Sequence, residues 1–165
     1  MSTSDTSVHR QIVVDAPVER AFSVFVEQFG RIKPPEHNIL PVALADTVLE
    51  PRVGGHVYDR GVDGSECRWA RVLAYEPPHR IVISWDFNLQ FQIEADHART
   101  SEVEIRFVAE TPARTRVELE HRHLDRHGEG WEGMRAAVDS TGGWQPYLDR
   151  FAALLSGEPA SATSG

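Results

Sequence analysis

The densest group of chemically versatile side chains is His121-x-His123, with His127 four residues further on. Imidazoles two residues apart on a strand share a face, and a third from the following loop would complete a set of nitrogen ligands for a metal ion. No carboxylate or thiol stands at a diagnostic spacing, and eight histidines in 165 residues make chance pairs common. No metal and no other cofactor is therefore expected. Taken alone, His121 is the candidate catalytic residue, because an imidazole titrating at about 6.5 can move a proton or orient a ligand near neutral pH. The alternative is a structural histidine bonded to a loop carbonyl.

Aromatic side chains offer recognition instead of proton transfer. Trp69, Trp85 and Trp144 would line a site for a flat or apolar molecule, or would simply pack the core. Trp69 shares strand parity with Cys67, Arg71 and Leu73. If Trp69 points inward, Arg71 does too and offers a cation to a carboxylate, phosphate or enolate oxygen. If a bulge resets the parity, Arg71 lies outside beside glutamates. Tyr58 and His56 pose the same choice. Gly54-Gly55 and Gly142-Gly143 lack the setting and the lysine of a phosphate loop. No G-x-S-x-G elbow occurs, and Cys67 sits in mid-strand.

Regular elements must hold these groups. Val8–Val14 reads as a strand, and Asp15-Ala-Pro-Val as a helix start, with Asp15 accepting free backbone N–H groups and Pro17 in the first turn. Val18, Ala21, Phe22, Phe25 and Phe29 follow at helical spacing, with Gly30 as the stop and Lys33-Pro-Pro-Glu-His37 as an irregular corner. From Ala43 the period becomes 2. The pattern predicts strands over 43–50, 55–61, 65–75, 79–88, 101–110 and 114–123, joined by short turns in an antiparallel meander.

Ile81, Ile83, Trp85, Phe87, Leu89, Phe91 and Ile93 alternate without a break, too far for one straight strand, so a bend is expected near Asn88 and a loop over 89–100. Parity turns Ile81, Ile83, Trp85 and Phe87 inward, with Val103, Ile105 and Phe107. Glu102, Glu104 and Arg106 face water. His121 and His123 inherit the inward parity of Val117 and Leu119. Arg114, Arg116, Glu118, Glu120 and Arg122 read as a solvated cross-strand ladder. Residues 129–139 form a short helix. Trp144, Tyr147, Leu148, Phe151, Leu154 and Leu155 then mark the apolar stripe of a long final helix. The fold class is α+β, a curved antiparallel sheet wrapped around that helix, with a small-molecule cavity between them.

Composition agrees with one soluble domain over residues 8–155, with disordered tails at 1–7 and 156–165. Seventeen basic against twenty-five acidic residues give a net charge of −8, which disfavours nucleic acid and anionic membrane surfaces as partners. One cysteine rules out an internal disulfide framework. With no long apolar run and no signal-like N-terminus, a cytoplasmic location is the expectation.

Glu50-Pro-Arg-Val-Gly-Gly55, Asp63-Gly64, Trp69-Ala-Arg-Val-Leu-Ala-Tyr75, Pro77-Pro78-His-Arg80 and Ser84-Trp85 resemble the START-like SRPBCC superfamily, in the branch related to activators of the heat-shock protein 90 ATPase. Leu119-Glu-His121 and Gly143-Trp144, followed by Leu148 and Phe151, extend the resemblance along nearly the whole chain. It implies a helix-grip fold with a cavity under the C-terminal helix, in a superfamily of lipid and hormone carriers, aromatase/cyclases, resistance proteins and co-chaperones. Fold alone does not assign chemistry.

The first reading is a binder of a small, mostly apolar, aromatic or polycyclic molecule. Trp69, Trp85, Phe87, Phe107, Met134, Trp144 and Leu148 would line the cavity, with Tyr58, Arg71 and His121 as polar anchors. A second reading is an aromatase/cyclase-like enzyme in which His121 moves a proton and Arg71 holds an oxyanion. A third is a regulator of a chaperone ATPase. It is less expected, because the eukaryotic co-chaperones carry an additional N-terminal domain that this sequence does not show.

Overall fold

The two-residue alternation becomes seven strands: β1 (Val8–Val14), β2 (Leu44–Leu49), β3 (His56–Gly61), β4 (Glu66–Glu76), β5 (Arg80–Trp85), β6 (Ser101–Thr111) and β7 (Arg114–Arg122). They form one curled antiparallel sheet in the order β1-β7-β6-β5-β4-β3-β2. The structure, a computed structural model, describes residues 6–33, 40–90, 92–140 and 143–156. The Lys33–His37 corner beyond Lys33, Phe91 and most of both predicted tails lie outside these residues.

Helices cover the inner face of the sheet. They are α1 (Val18–Glu27), α2 (Phe29–Ile32), α3 (Trp131–Asp139) and α4 (Trp144–Ser156). The stripe of α4 buries Trp144, Tyr147, Leu148, Phe151 and Leu155 as its spacing requires. Phe22 and Phe25 of α1 pack edge-on against Phe107 of β6, and Phe25 also meets Phe151 of α4 edge-on.

Both ends of the first helix differ from the pattern. Pro17, not Asp15, occupies the cap position, and no side chain caps it. Asp15 is exposed and faces Arg114 at 3.5 Å. Gly30 does not stop the helix. The chain breaks at Gln28, and α2 resumes with Gly30 inside it. A Cβ at Gly30 would lie 2.5 Å from Asp46 Oδ1 and 2.6 Å from the Thr47 carbonyl. The helix changes direction there so that its backbone can seat on β2.

Two bulges in β4 decide which side chains reach the interior. Tyr58 pairs with Arg68 and Val57 with Ala70, which leaves Trp69 as an extra residue. Val72 pairs with Ile83 and Ala74 with Val82, which leaves Leu73 as another. Each extra residue resets the alternation. Trp69, Ala70 and Val72 are all buried as a result.

β5 ends at Trp85, earlier than the predicted bend. Phe87 makes an isolated bridge with Ile93, and the chain folds back through the Asn88–Gln92 and Asp86–Glu94 backbone bonds before the 97–99 turn. On the outer face the charge ladder forms as expected. Arg122 reaches Glu102 and Glu104, Arg106 reaches Glu118, and Arg116 reaches Glu110 and Glu118. Glu104 itself is buried beneath Arg80 and Arg122.

Candidate functional site: an aromatic interior ending in a polar row

Pleat alternation and the bulges bring five rings into a closed circuit between sheet and helices. Trp69 lies 5.8 Å from Trp85, Trp85 is 5.3 Å from Trp144, and Trp144 is 4.7 Å from Tyr147. Tyr147 then meets Phe29 at 6.2 Å, and Phe29 returns to Trp69 at 6.3 Å. Phe87 joins the circuit, stacked on Trp69 at 5.6 Å and tilted against Trp85 at 4.9 Å. Leu148 is fully buried beside them on α4. Six predicted residues, Trp69, Trp85, Phe87, His121, Trp144 and Leu148, are thus buried in this interior.

At the end of the sheet where β5 leaves, β6 begins and β7 ends, the interior turns polar. The Trp144 indole N–H donates to His121 Nδ1 at 3.0 Å. His121 Nε2 lies 2.7 Å from Ser101 Oγ, which lies 2.7 Å from His127 Nε2. Ser101, His121 and His127 are all buried. Because an indole can only donate, His121 Nδ1 must be the accepting nitrogen. Burial and the neighbouring His127 push the His121 imidazole down to about 3, so it is neutral and carries its hydrogen on Nε2. Ser101 accepts that hydrogen, and its own hydroxyl has one acceptor left, His127 Nε2. His127 is thereby the Nδ1–H tautomer. Burial, aided by Arg99, lowers its imidazole as well, against the opposing pull of Glu94 and Asp86.

Two buried donors remain without partners at this end, His127 Nδ1 and Trp85 Nε1. Both side chains border Ser101, which bonds His127 and stands opposite Trp85 in the β5–β6 register. Buried polar groups normally find partners, so the two stand out from the rest of this interior.

Several predicted site residues fall elsewhere. Arg71 lies on the other face of β4, because Val72 pairs with inward Ile83. It forms a fork with Asp86 (3.0 Å to each oxygen) and bonds Thr100. Tyr58 alternates with buried Val57 and Asp59 and lies under Arg68 on the outer side. Phe107 packs beneath α1, and Met134 belongs to the buried face of α3 with Val138. His123 is exposed in a left-handed conformation just past β7, so it does not share a face with His121. The three histidines form no ligand set.

Ser101 and the role of His127 were not anticipated. The available signal was a serine at the head of the inward row Ser101–Val103–Ile105–Phe107. Three clefts lined by described residues lie away from α4. One of about 430 Å³ runs beside α1 at Tyr75 and Pro77–Pro78, and others of about 390 and 290 Å³ lie on the charged strands.

Asp59 anchors the far side of the circuit. It accepts from Trp69 Nε1 (3.1 Å) and Thr47 Oγ1 (2.8 Å) and pairs with buried Lys33 at 3.2 Å. Burial and Asp59 push the nearby Cys67 thiol up, so it is no nucleophile near neutral pH. No described helix is long and apolar enough to cross a membrane.

Among solved structures, the anthrahydroquino-gamma-pyrone synthase Txn09, complexed with SUM, is 37% identical over 92% of this chain and 98% of that one, with a TM-score of 0.62. The self-sacrificing resistance protein CalC from Micromonospora echinospora is 26% identical over 93% and 96% of the two chains, with a TM-score of 0.67. CalU16 from the same organism is 25% identical over 91% and 76%, with a TM-score of 0.53. No curated protein matches. The family described as activator of Hsp90 ATPase homolog 1-like protein matches residues 15–156. With that match, and with a helix-grip fold like that of these neighbours, the chain belongs to the activator of Hsp90 ATPase homolog 1-like family of the START-like superfamily.

Proposed function

We propose that the chain binds a planar aromatic or polycyclic small molecule in the ring-lined interior between sheet and α4. The observation that carries this reading is the row Trp144–His121–Ser101–His127. A purely structural core gains little from burying four polar side chains among tryptophans and leaving the last one open. Binding sites, by contrast, join apolar walls to a few placed polar groups. A ligand in that interior would lie against Trp85 and Trp144.

Turnover of that ligand is the second reading, favoured by the 37% identity with a synthase over 98% of its chain. Its chemistry would not use His121 as base, since both ring nitrogens are engaged, nor Arg71, which is tied to Asp86 outside. A chaperone partner has no comparable support. Among the described residues, the exposed large apolar side chains are few: Val13, Val53, Val62, Leu73 and Ile93.

The test is a thermal-shift panel of two- to four-ring aromatics against straight-chain fatty acids of similar carbon number. Ring compounds are expected to raise Tm in a concentration-dependent way by mass action, and the fatty acids are not. If no ring compound shifts Tm, the reading fails.

A further inference from the structure

We propose that His127 Nδ1–H and Trp85 Nε1–H form a two-donor seat for the oxygen-bearing edge of a planar aromatic ligand, a carbonyl or phenolate. This rests on the aromatic-ligand reading and adds the polarity of the ligand's inner edge. The argument starts at Trp144. Its indole cannot accept a hydrogen bond, so the hydrogens along the row run one way, from Trp144 to His121, Ser101 and His127. The row ends in a hydrogen and not a lone pair. Trp85, also a pure donor and without a partner, stands opposite Ser101 of the same row. A ligand edge that brings lone pairs satisfies both groups. A hydrocarbon edge leaves both desolvated, and an amine or hydroxyl donor edge opposes them.

Ser101 and His121 are positioning residues in this scheme. They touch no ligand, and they fix which nitrogen of His127 carries the hydrogen. The 124–127 turn that bears His127 packs on α3, β6 and the 97–99 turn, so the imidazole is held from several sides.

Two measurements test the seat. The first compares anthraquinone-2-sulfonate with anthracene-2-sulfonate by titration calorimetry on the wild-type protein. The ring frames and the sulfonate match, and only the quinone carries carbonyl acceptors on its central ring. The quinone is expected to bind about tenfold more tightly, as two net hydrogen bonds allow. His127→Phe and Trp85→Phe should each cut the quinone's advantage over the anthracene about 3–10-fold, whatever they do to the affinity that the two ring frames share. If both sulfonates bind equally, the donors are satisfied by solvent and the seat is refuted while the aromatic-ligand reading stands. If neither binds, that reading falls and the seat with it.

The second measurement is decided on the wild type, with one variant as a check. Histidine ¹⁵N NMR of the wild type should show a pyridine-type Nδ1 in His121 and a pyridine-type Nε2 in His127. Ser101→Ala should release the preference in His127 without changing that of His121. A His127 protonated on Nε2 in the wild type would present a lone pair to the ligand and overturn the proposal.

Discussion

Trp144, the first residue of α4, donates its indole hydrogen to His121 at the end of β7, 3.0 Å away. This bond ties the terminal helix to the strand and fixes Nδ1 as the accepting nitrogen of an imidazole that burial keeps neutral.

Removing that donor should be costly. Trp144→Phe keeps a ring against Trp85 and Tyr147 but leaves His121 Nδ1 buried without a partner. A loss of about 1–3 kcal/mol is expected in urea unfolding. A loss below about 0.5 kcal/mol, within the range of ordinary surface substitutions, would show that the bond does not form.

Acid should weaken the fold through His121 before it does so through carboxylates. The unfolded chain takes up a proton on this residue at about 6.5, the folded protein only at about 3. Stability from this group is therefore complete above about 6.5 and declines as pH falls toward 3, at up to about 1.4 kcal/mol per unit. His127, also lowered by burial, adds to the same slope. Between pH 6.5 and 5, where carboxylates are still ionised, wild-type unfolding free energy should fall with pH, and His121→Gln should flatten the curve. Equal slopes would contradict a buried neutral imidazole.

The Lys33–Asp59 pair predicts strong coupling. Both side chains are about 1% exposed. Asp59→Ala removes the carboxylate that faces the buried ammonium and accepts from Trp69 Nε1, at a cost of about 3–5 kcal/mol. Adding Lys33→Met should recover part of that loss, because the buried charge that faced this carboxylate is then gone. Simple additivity in a double-mutant cycle would rule the coupling out.

Two glycines should respond with opposite signs. Gly30→Ala forces a methyl onto the backbone of β2 and should cost about 1–3 kcal/mol. In α3, Gly133 has open space around its Cβ position, and Gly133→Ala should stabilise by up to about 1 kcal/mol. Thermal unfolding of the pair checks both.

Strands, the antiparallel meander of the last six and the α4 stripe could be read from the sequence because burial on one face writes a period into it. Ile81, Ile83 and Trp85 show this, as do Val103, Ile105 and Phe107. The site was half legible. His121 and the tryptophans stood out by residue type and parity. Arg71 did not, since the extra residues Trp69 and Leu73 interrupt the alternation without leaving a distinct sequence mark. His127 and Ser101 meet only when the chain turns past β7, through a left-handed residue at His123 where a non-glycine is uncommon. No local pattern reports such a meeting.

The order of strands has a consequence for how the molecule is made. β1 finds its ladder only on β7, with Val8 opposite His121 and Val14 opposite Thr115. On the ribosome the first strand therefore emerges long before its partner exists, and it must wait as a bare edge while most of the chain is translated. Such distant pairing slows folding and leaves an apolar strand open to wrong neighbours in the interval. Completion of the sheet, the landing of α4 and the assembly of the His121 row thus fall together, after the last helix has left the exit tunnel.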